Sequence, residues 1–165
     1  MTLQRDYSVT ELMSTNAPGS VILVRLYVGL IFIIEGMLKY ARPEQLGVGR
    51  FAKVGIPAAA SLANLDGAFE IGCGLLIVLG LVTRLAVMPM IVDMLGALAT
   101  TKFPLLWGSA ALYPGEHGFW DFVHESRLEW AMLCGSLFLL AVGSGRRSLD
   151  AMFLDRASRK DAVLL

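Results

Sequence analysis

The hydrophobic pattern of this 165-residue chain is a series of long, nearly unbroken apolar stretches set between short polar ones. Four stretches run from Ser20 to Tyr40, Ala58 to Val82, Leu85 to Leu106 and Leu128 to Gly143. A bilayer-crossing helix needs roughly 20 mostly apolar residues. None of the four alternates with period two, as barrel strands would, so each reads as a helix. Only Thr83 and Arg84 separate the second and third, which forces an antiparallel hairpin. Short connections then predict an all-α integral membrane protein, a four-helix up-and-down bundle with both termini on one side.

The pattern divides the chain into a polar N-terminal tail (residues 1–19), a four-span domain (20–145) and a C-terminal tail (146–165). The first tail ends in the turn-rich run Asn16, Ala17, Pro18, Gly19. Arg5 is offset by Asp6 and Glu11, unlike the basic start of a signal peptide, so the first span is expected to be retained. In the second tail Leu149, Met152, Phe153 and Ala157 recur at helical spacing beside Arg156, Arg159 and Lys160. That fits a basic amphipathic helix on the membrane surface.

Composition agrees with the pattern. Apolar residues make up 56% of the chain and charged residues 17%, with mean hydropathy +0.64 and no net charge. Disorder is excluded by the apolar content, and a neutral chain offers no electrostatic footprint for nucleic acid. The Arg146–Arg147 pair, tight against a span end, places both termini on the cytoplasmic side.

The informative residues are charges where apolar ones belong. Arg25, Glu35, Lys39, Asp66, Glu70, Asp93, Lys102, Arg127 and Glu129 lie within the spans or at their edges. A central Asp, Lys or Arg costs about 2.5–3.5 kcal/mol on insertion scales. Such groups must pair, protonate or face water inside the bundle. At 1.5 Å rise per residue from the terminal side, Glu35 falls at roughly 22 Å, Asp66 at roughly 24 Å, Glu70 at roughly 18 Å and Glu129 at roughly 21 Å.

Carboxylates from different helices thus converge on one level in the half away from the termini. Asp93 is nearer mid-membrane, and Lys39, Lys102 and Arg127 cap the same half. Asp66 and Glu70 are four apart, hence on one helix face, as are Glu35 and Lys39. His124, beside Glu125 and Arg127, reads as lining the mouth of the same cavity. Within it Glu70 and Asp66 are the candidate proton carriers. The competing reading is a buried ion-pair network that only fixes helix register.

Other chemistry is sparse. Cys73 and Cys134 form no C-x-x-C and read as buried small hydrophobes. His117 and His124 share one connection, which does not suit haem held between facing helices. No metal site and no phosphate-binding loop is expected, and no cofactor is evident from the residues.

Taken in order, several short segments carry a resemblance. They are Arg25, Glu35-Gly36 with Lys39, the loop Gly49-Arg50-Phe51-Ala52-Lys53-Val54-Gly55-Ile56-Pro57, and Glu70-Ile71-Gly72-Cys73-Gly74. Gly80-Leu81-Val82-Thr83-Arg84, Thr101-Lys102-Phe103-Pro104, His124-Glu125-Ser126-Arg127 and the run from Gly143 to Asp150 follow. From about Val21 to Met152 the chain resembles the DoxX family of small four-helix bacterial membrane proteins. Where many members carry a His before the first-helix Gly, this chain has Glu35.

The resemblance extends to the membrane subunit of thiosulfate:quinone oxidoreductase. It implies the bacterial inner membrane, a quinone as ligand and a redox-enzyme subunit as partner beside the lipid bilayer; a homo-oligomer stays open. The function expected is that of a cavity-bearing subunit or accessory of a quinone-linked membrane oxidoreductase system. The alternatives are a non-enzymatic scaffold or assembly protein and, less favoured, a small transporter. For transport the terminal half holds too few polar residues, only Arg25 and Arg84.

Overall fold

The structure, a computed structural model, describes residues 13–163, with side chains through residue 158. Arg5, Asp6 and Glu11 of the expected tail, and the side chains of Arg159 and Lys160, lie outside the described residues. Among the described residues, all regular structure is helical. α1 spans Val21–Ala41, two short helices follow (α2, Pro43–Leu46; α3, Val48–Lys53), and α4 spans Ala59–Leu79. α5 spans Thr83–Ala97 and continues through a π turn, Leu98–Lys102, into a 3-10 turn, Phe103–Trp107. α6 (Phe119–Glu125), α7 (Arg127–Val142) and α8 (Leu149–Val163) complete the chain.

Three of these are long and apolar enough to cross a membrane: α1, α4 and the run Thr83–Trp107. The expected fourth span falls short. α7 has 16 residues, about 24 Å of helix against the roughly 30 Å of a hydrocarbon core. The chain breaks helix at Ser126, which separates α7 from α6.

α1 packs chiefly on α4, and α5 on α7. Glycine makes the first pairing close. A Cβ on Gly29 would stand 2.7 Å from the Gly74 carbonyl oxygen, and one on Gly36 2.7 Å from that of Gly67. Small residues at such spacing let backbones touch where side chains would hold helices apart. Val28, Phe32, Ile77, Val87, Met90 and Met132 fill the space between the two pairs. Leu23, Ile34, Leu65, Val92 and Leu137 are exposed on the outside, as lipid-facing residues would be.

The terminal end is closed by polar ties. Arg25 is 2% exposed, and its guanidinium donates to the carbonyls of Ile77, Val78, Ser144 and Arg147 at 2.5–3.0 Å. Of the two α4 carbonyls, that of Ile77 also accepts from the Gly80 N–H at 3.1 Å, whereas that of Val78 is one of those a helix end leaves without a helical partner. The α4–α5 turn passes through Gly80 (φ 69°) and Val82 (φ 43°). A β-branched residue at positive φ is strained. Asp150 of α8 holds this turn, its carboxylate accepting from Val82 N–H at 2.8 Å and Thr83 N–H at 3.4 Å. The Asp150 N–H in turn donates to the Gly80 carbonyl at 3.0 Å. The tail expected as a surface helix is therefore helical but anchored at its first turn, with Met152 and Phe153 exposed beyond.

Both cysteines are free; Cys73 is buried as expected, whereas Cys134 is exposed on α7. A helix apolar all round does not reveal which side faces out.

Candidate functional site

At the end away from the termini the two helix pairs separate around a cavity of about 940 Å³. α1 contributes Glu35 and Lys39, α4 contributes Asp66 and Glu70, and α5 with its π turn contributes Asp93 and Lys102. α7 supplies Arg127 and Glu129, while α3 closes the top with Arg50 and Phe51. Leu62, Leu65 and Phe69 on α4, Gly96 on α5, and Leu128 and Ala131 on α7 line the cavity and are themselves exposed, so it is open to the outside of the bundle.

The deep part of the cavity is an ion cluster. Lys39 donates from its ammonium to both Asp66 and Glu70. Carboxylate oxygens of Asp66, Glu70 and Asp93 lie within 4.8 Å of one another. The helix geometry accounts for it: residues four apart put Asp66 and Glu70 on one face, and the Gly36–Gly67 contact draws α1 within reach. One ammonium serves a group of three carboxyl side chains, and Asp93 Oδ2 is buried without a hydrogen-bond partner among the described residues. Where the sequence led to no metal site, these three carboxylates are the donor set that could hold a cation.

A second cluster stands on the other helix pair. The π turn carries Lys102 inward, where it is buried. Its ammonium lies 3.3 Å from Glu129 and 3.9 Å from Glu125, donates to the Tyr113 hydroxyl and sits 4.6 Å from the centre of that ring. Glu129 is 9% exposed, and its Oε2 is buried without a partner among the described residues. π turns are rare, and many mark functional sites.

Eight of the nine sequence-derived cavity residues line this one space. His124 does not. Its side chain is 69% exposed at the end of α6, with Nδ1 3.0 Å from Glu125 and 3.1 Å from Arg127. Arg127 donates to the His124 carbonyl and is itself largely exposed at the rim. Sequence reasoning did not place Arg50, Glu125 and Tyr113 in the site. Their loop positions made their charge and polarity ordinary, and only the inward turn of Lys102 could have pointed to the last two.

A family profile described as DoxX matches residues 20–102, which hold every cavity residue named above up to Lys102. An uncharacterized membrane protein of Mycobacterium tuberculosis (strain ATCC 25618 / H37Rv) is 48% identical over 148 residues, 90% of this chain and 90% of that protein. No solved structure matches.

Proposed function

The chain belongs to the DoxX family of membrane proteins, and on that premise we propose that its cavity binds a lipid-soluble redox carrier, a quinone, in the bacterial cytoplasmic membrane. The protein acts as a subunit or accessory of a membrane oxidoreductase. In this reading α7 is a short fourth span, the bundle is up-and-down, and both termini are cytoplasmic.

The observation that carries the proposal is the cavity's make-up: about 940 Å³ with apolar walls, a charged floor and exposed apolar residues along its opening. That volume lies in the range of small-molecule pockets, roughly 300–1,000 Å³. A quinone tail would lie along Leu62, Leu65 and Phe69, and its head would reach the floor. There the Lys39 ammonium can donate to a quinone carbonyl oxygen. Glu70 and Asp66 are the carboxyl groups placed to pass the two protons that reduction to quinol consumes. These side chains carry protons and not electrons, so both electrons come from a partner protein.

The test is mass spectrometry of small molecules extracted from the protein purified in mild detergent, wild type beside Glu70→Gln. Near-stoichiometric quinone in the wild type that is lost in the variant supports the reading. Absence of quinone from both overturns it.

A scaffold is the second reading, favoured by one observation: Lys39 and Lys102 are each already paired with two carboxylates of this chain. In that case Asp66→Asn and Glu70→Gln lower the melting temperature and change no bound molecule.

A further inference from the structure

The connection between the third and fourth apolar stretches folds into a cap on the cavity end of the protein. Its regular pieces are the 3-10 turn Phe103–Trp107 and α6. Phe103 of the turn stacks on Phe122 of α6 with ring centres 5.3 Å apart, and the Gly118 N–H donates to the Leu105 carbonyl at 2.9 Å. α6 is polarised the wrong way for a helix in water. Its two carboxyl groups are tied to the protein: Asp121 accepts from the His117 N–H at 2.8 Å, and Glu125 stands 3.9 Å from the buried Lys102. Phe119, Trp120 and Val123 are exposed instead, and so is Trp107 at the end of the turn. Of the polar residues of α6 only His124, near its end, is exposed. Trp120 and Trp107 are 79% and 75% exposed, more than the outward Leu23 and Val92 of the membrane-crossing helices at 69%.

We propose that this cap is a membrane-interface anchor, its outward aromatic residues seated among the headgroups and upper acyl chains of the leaflet away from the termini. An indole ring suits that layer, since its body is apolar and its N–H finds a polar partner. A helix that turns apolar residues outward and ties its carboxyl groups inward is what contact with lipid favours.

The occupant is lipid and not another protein because the cap is continuous with the apolar outside of the helices. Trp107 is the last residue of a membrane-crossing run. At its other end α6 passes through Ser126 into α7, which packs on α5 and exposes Leu128, Trp130, Leu137 and Phe138. The chain therefore gives these aromatic residues no length in which to leave the membrane surface.

The anchor does not depend on the quinone reading, but it bears on how any guest arrives. Leu128 and Ala131, exposed on the cavity rim, follow the cap directly along α7. With the cap at the headgroups this part of the rim faces acyl chains, and a guest enters from the bilayer.

The test is fluorescence quenching of the full-length protein in vesicles of phosphatidylglycerol and phosphatidylcholine. The chain has three tryptophans. Trp120→Phe with Trp130→Phe leaves Trp107 as the reporter, and Trp107→Phe with Trp130→Phe leaves Trp120. Tyrosine replaces phenylalanine in any pair whose melting temperature falls below that of the wild type. Lipids brominated near the top of the acyl chain are expected to quench both reporters more than lipids brominated near the chain end. Iodide, present on both faces of the vesicle, should quench them several-fold less than it quenches free tryptophan.

Iodide quenching at either reporter equal to that of free tryptophan, with no effect of brominated lipid, would put the cap in water and overturn the proposal. Shielding from iodide and brominated lipid together would mean that protein covers the surface, a second copy of this chain included, and overturns it too. Strongest quenching from bromine at the chain end would sink the cap into the hydrocarbon core and overturn its interfacial placement.

Discussion

Gly36 and Gly67 face each other across the α1–α4 seam so closely that a methyl group on Gly36 would stand 2.7 Å from the Gly67 carbonyl oxygen. The same methyl would lie 3.0 Å from the Cβ of Glu70. Backbone packing and site geometry are therefore one arrangement, because the contact that joins the helices also sets how far Glu70 stands from Lys39.

Gly36→Ala should force the helices apart at this level. Overpacking of a tight contact costs about 1–3 kcal/mol, which would appear as a lower melting temperature in detergent. Gly72→Ala is the control, since nothing lies within 4 Å of a methyl there. It should be neutral or slightly stabilising, as alanine exceeds glycine in helix propensity by about 1 kcal/mol. Equal effects of the two substitutions would contradict the seam.

Arg25→Met removes the donor that serves four carbonyls from two separate segments. A buried acceptor left unsatisfied costs about 1–3 kcal/mol, so a loss of at least about 3 kcal/mol is expected for the set. Because Ser144 and Arg147 belong to the segment that leads into α8, limited proteolysis should cut sooner near residues 144–148. Arg25→Lys, with a single charged nitrogen, should recover only part of the stability.

The residues that the sequence revealed are those that contradict their surroundings. Lys39, Asp66, Glu70 and Asp93 stand out because a charge within an apolar run has few reasons to exist. Arg50 and Glu125 stand in polar connections, where charge is the rule, and only tertiary folding brings them over the cavity. Asp150 reads as one more charge of a solvated tail, yet it is 1% exposed and holds a strained turn 68 residues away in sequence. The end of the third helix was legible as apolar. The π turn that rotates Lys102 inward was not, since its hydrogen-bond shift has no composition of its own. Apolar content also overstated α7, where the break at Ser126 depends on how α6 meets it.

Asp150→Ala tests that tail. Its carboxylate caps the start of α5 in place of an N-cap side chain, which Val82 cannot supply. Loss of such a cap costs about 0.5–2 kcal/mol, and here the positive φ of Val82 loses its support as well. Val82→Gly, which relieves the backbone strain, should restore stability in the Asp150→Ala background more than it changes the wild type. A double-mutant cycle of melting temperatures gives the comparison, and strict additivity would mean that cap and turn are independent.

Lys39→Met is the sharpest probe of the floor. Among the described residues the Lys39 ammonium is the one cation bonded to Asp66 and Glu70, with Asp93 alongside. Removing it leaves like charges together in an enclosed space, and breaking a buried pair in this way costs about 3–5 kcal/mol. Glu70→Gln in the same chain takes away one of those charges. The double variant should therefore be more stable than Lys39→Met alone, the opposite sign from two independent losses. If Lys39→Met proves as stable as the wild type, Lys39 does not hold the cluster together, and the floor would have to be described without it.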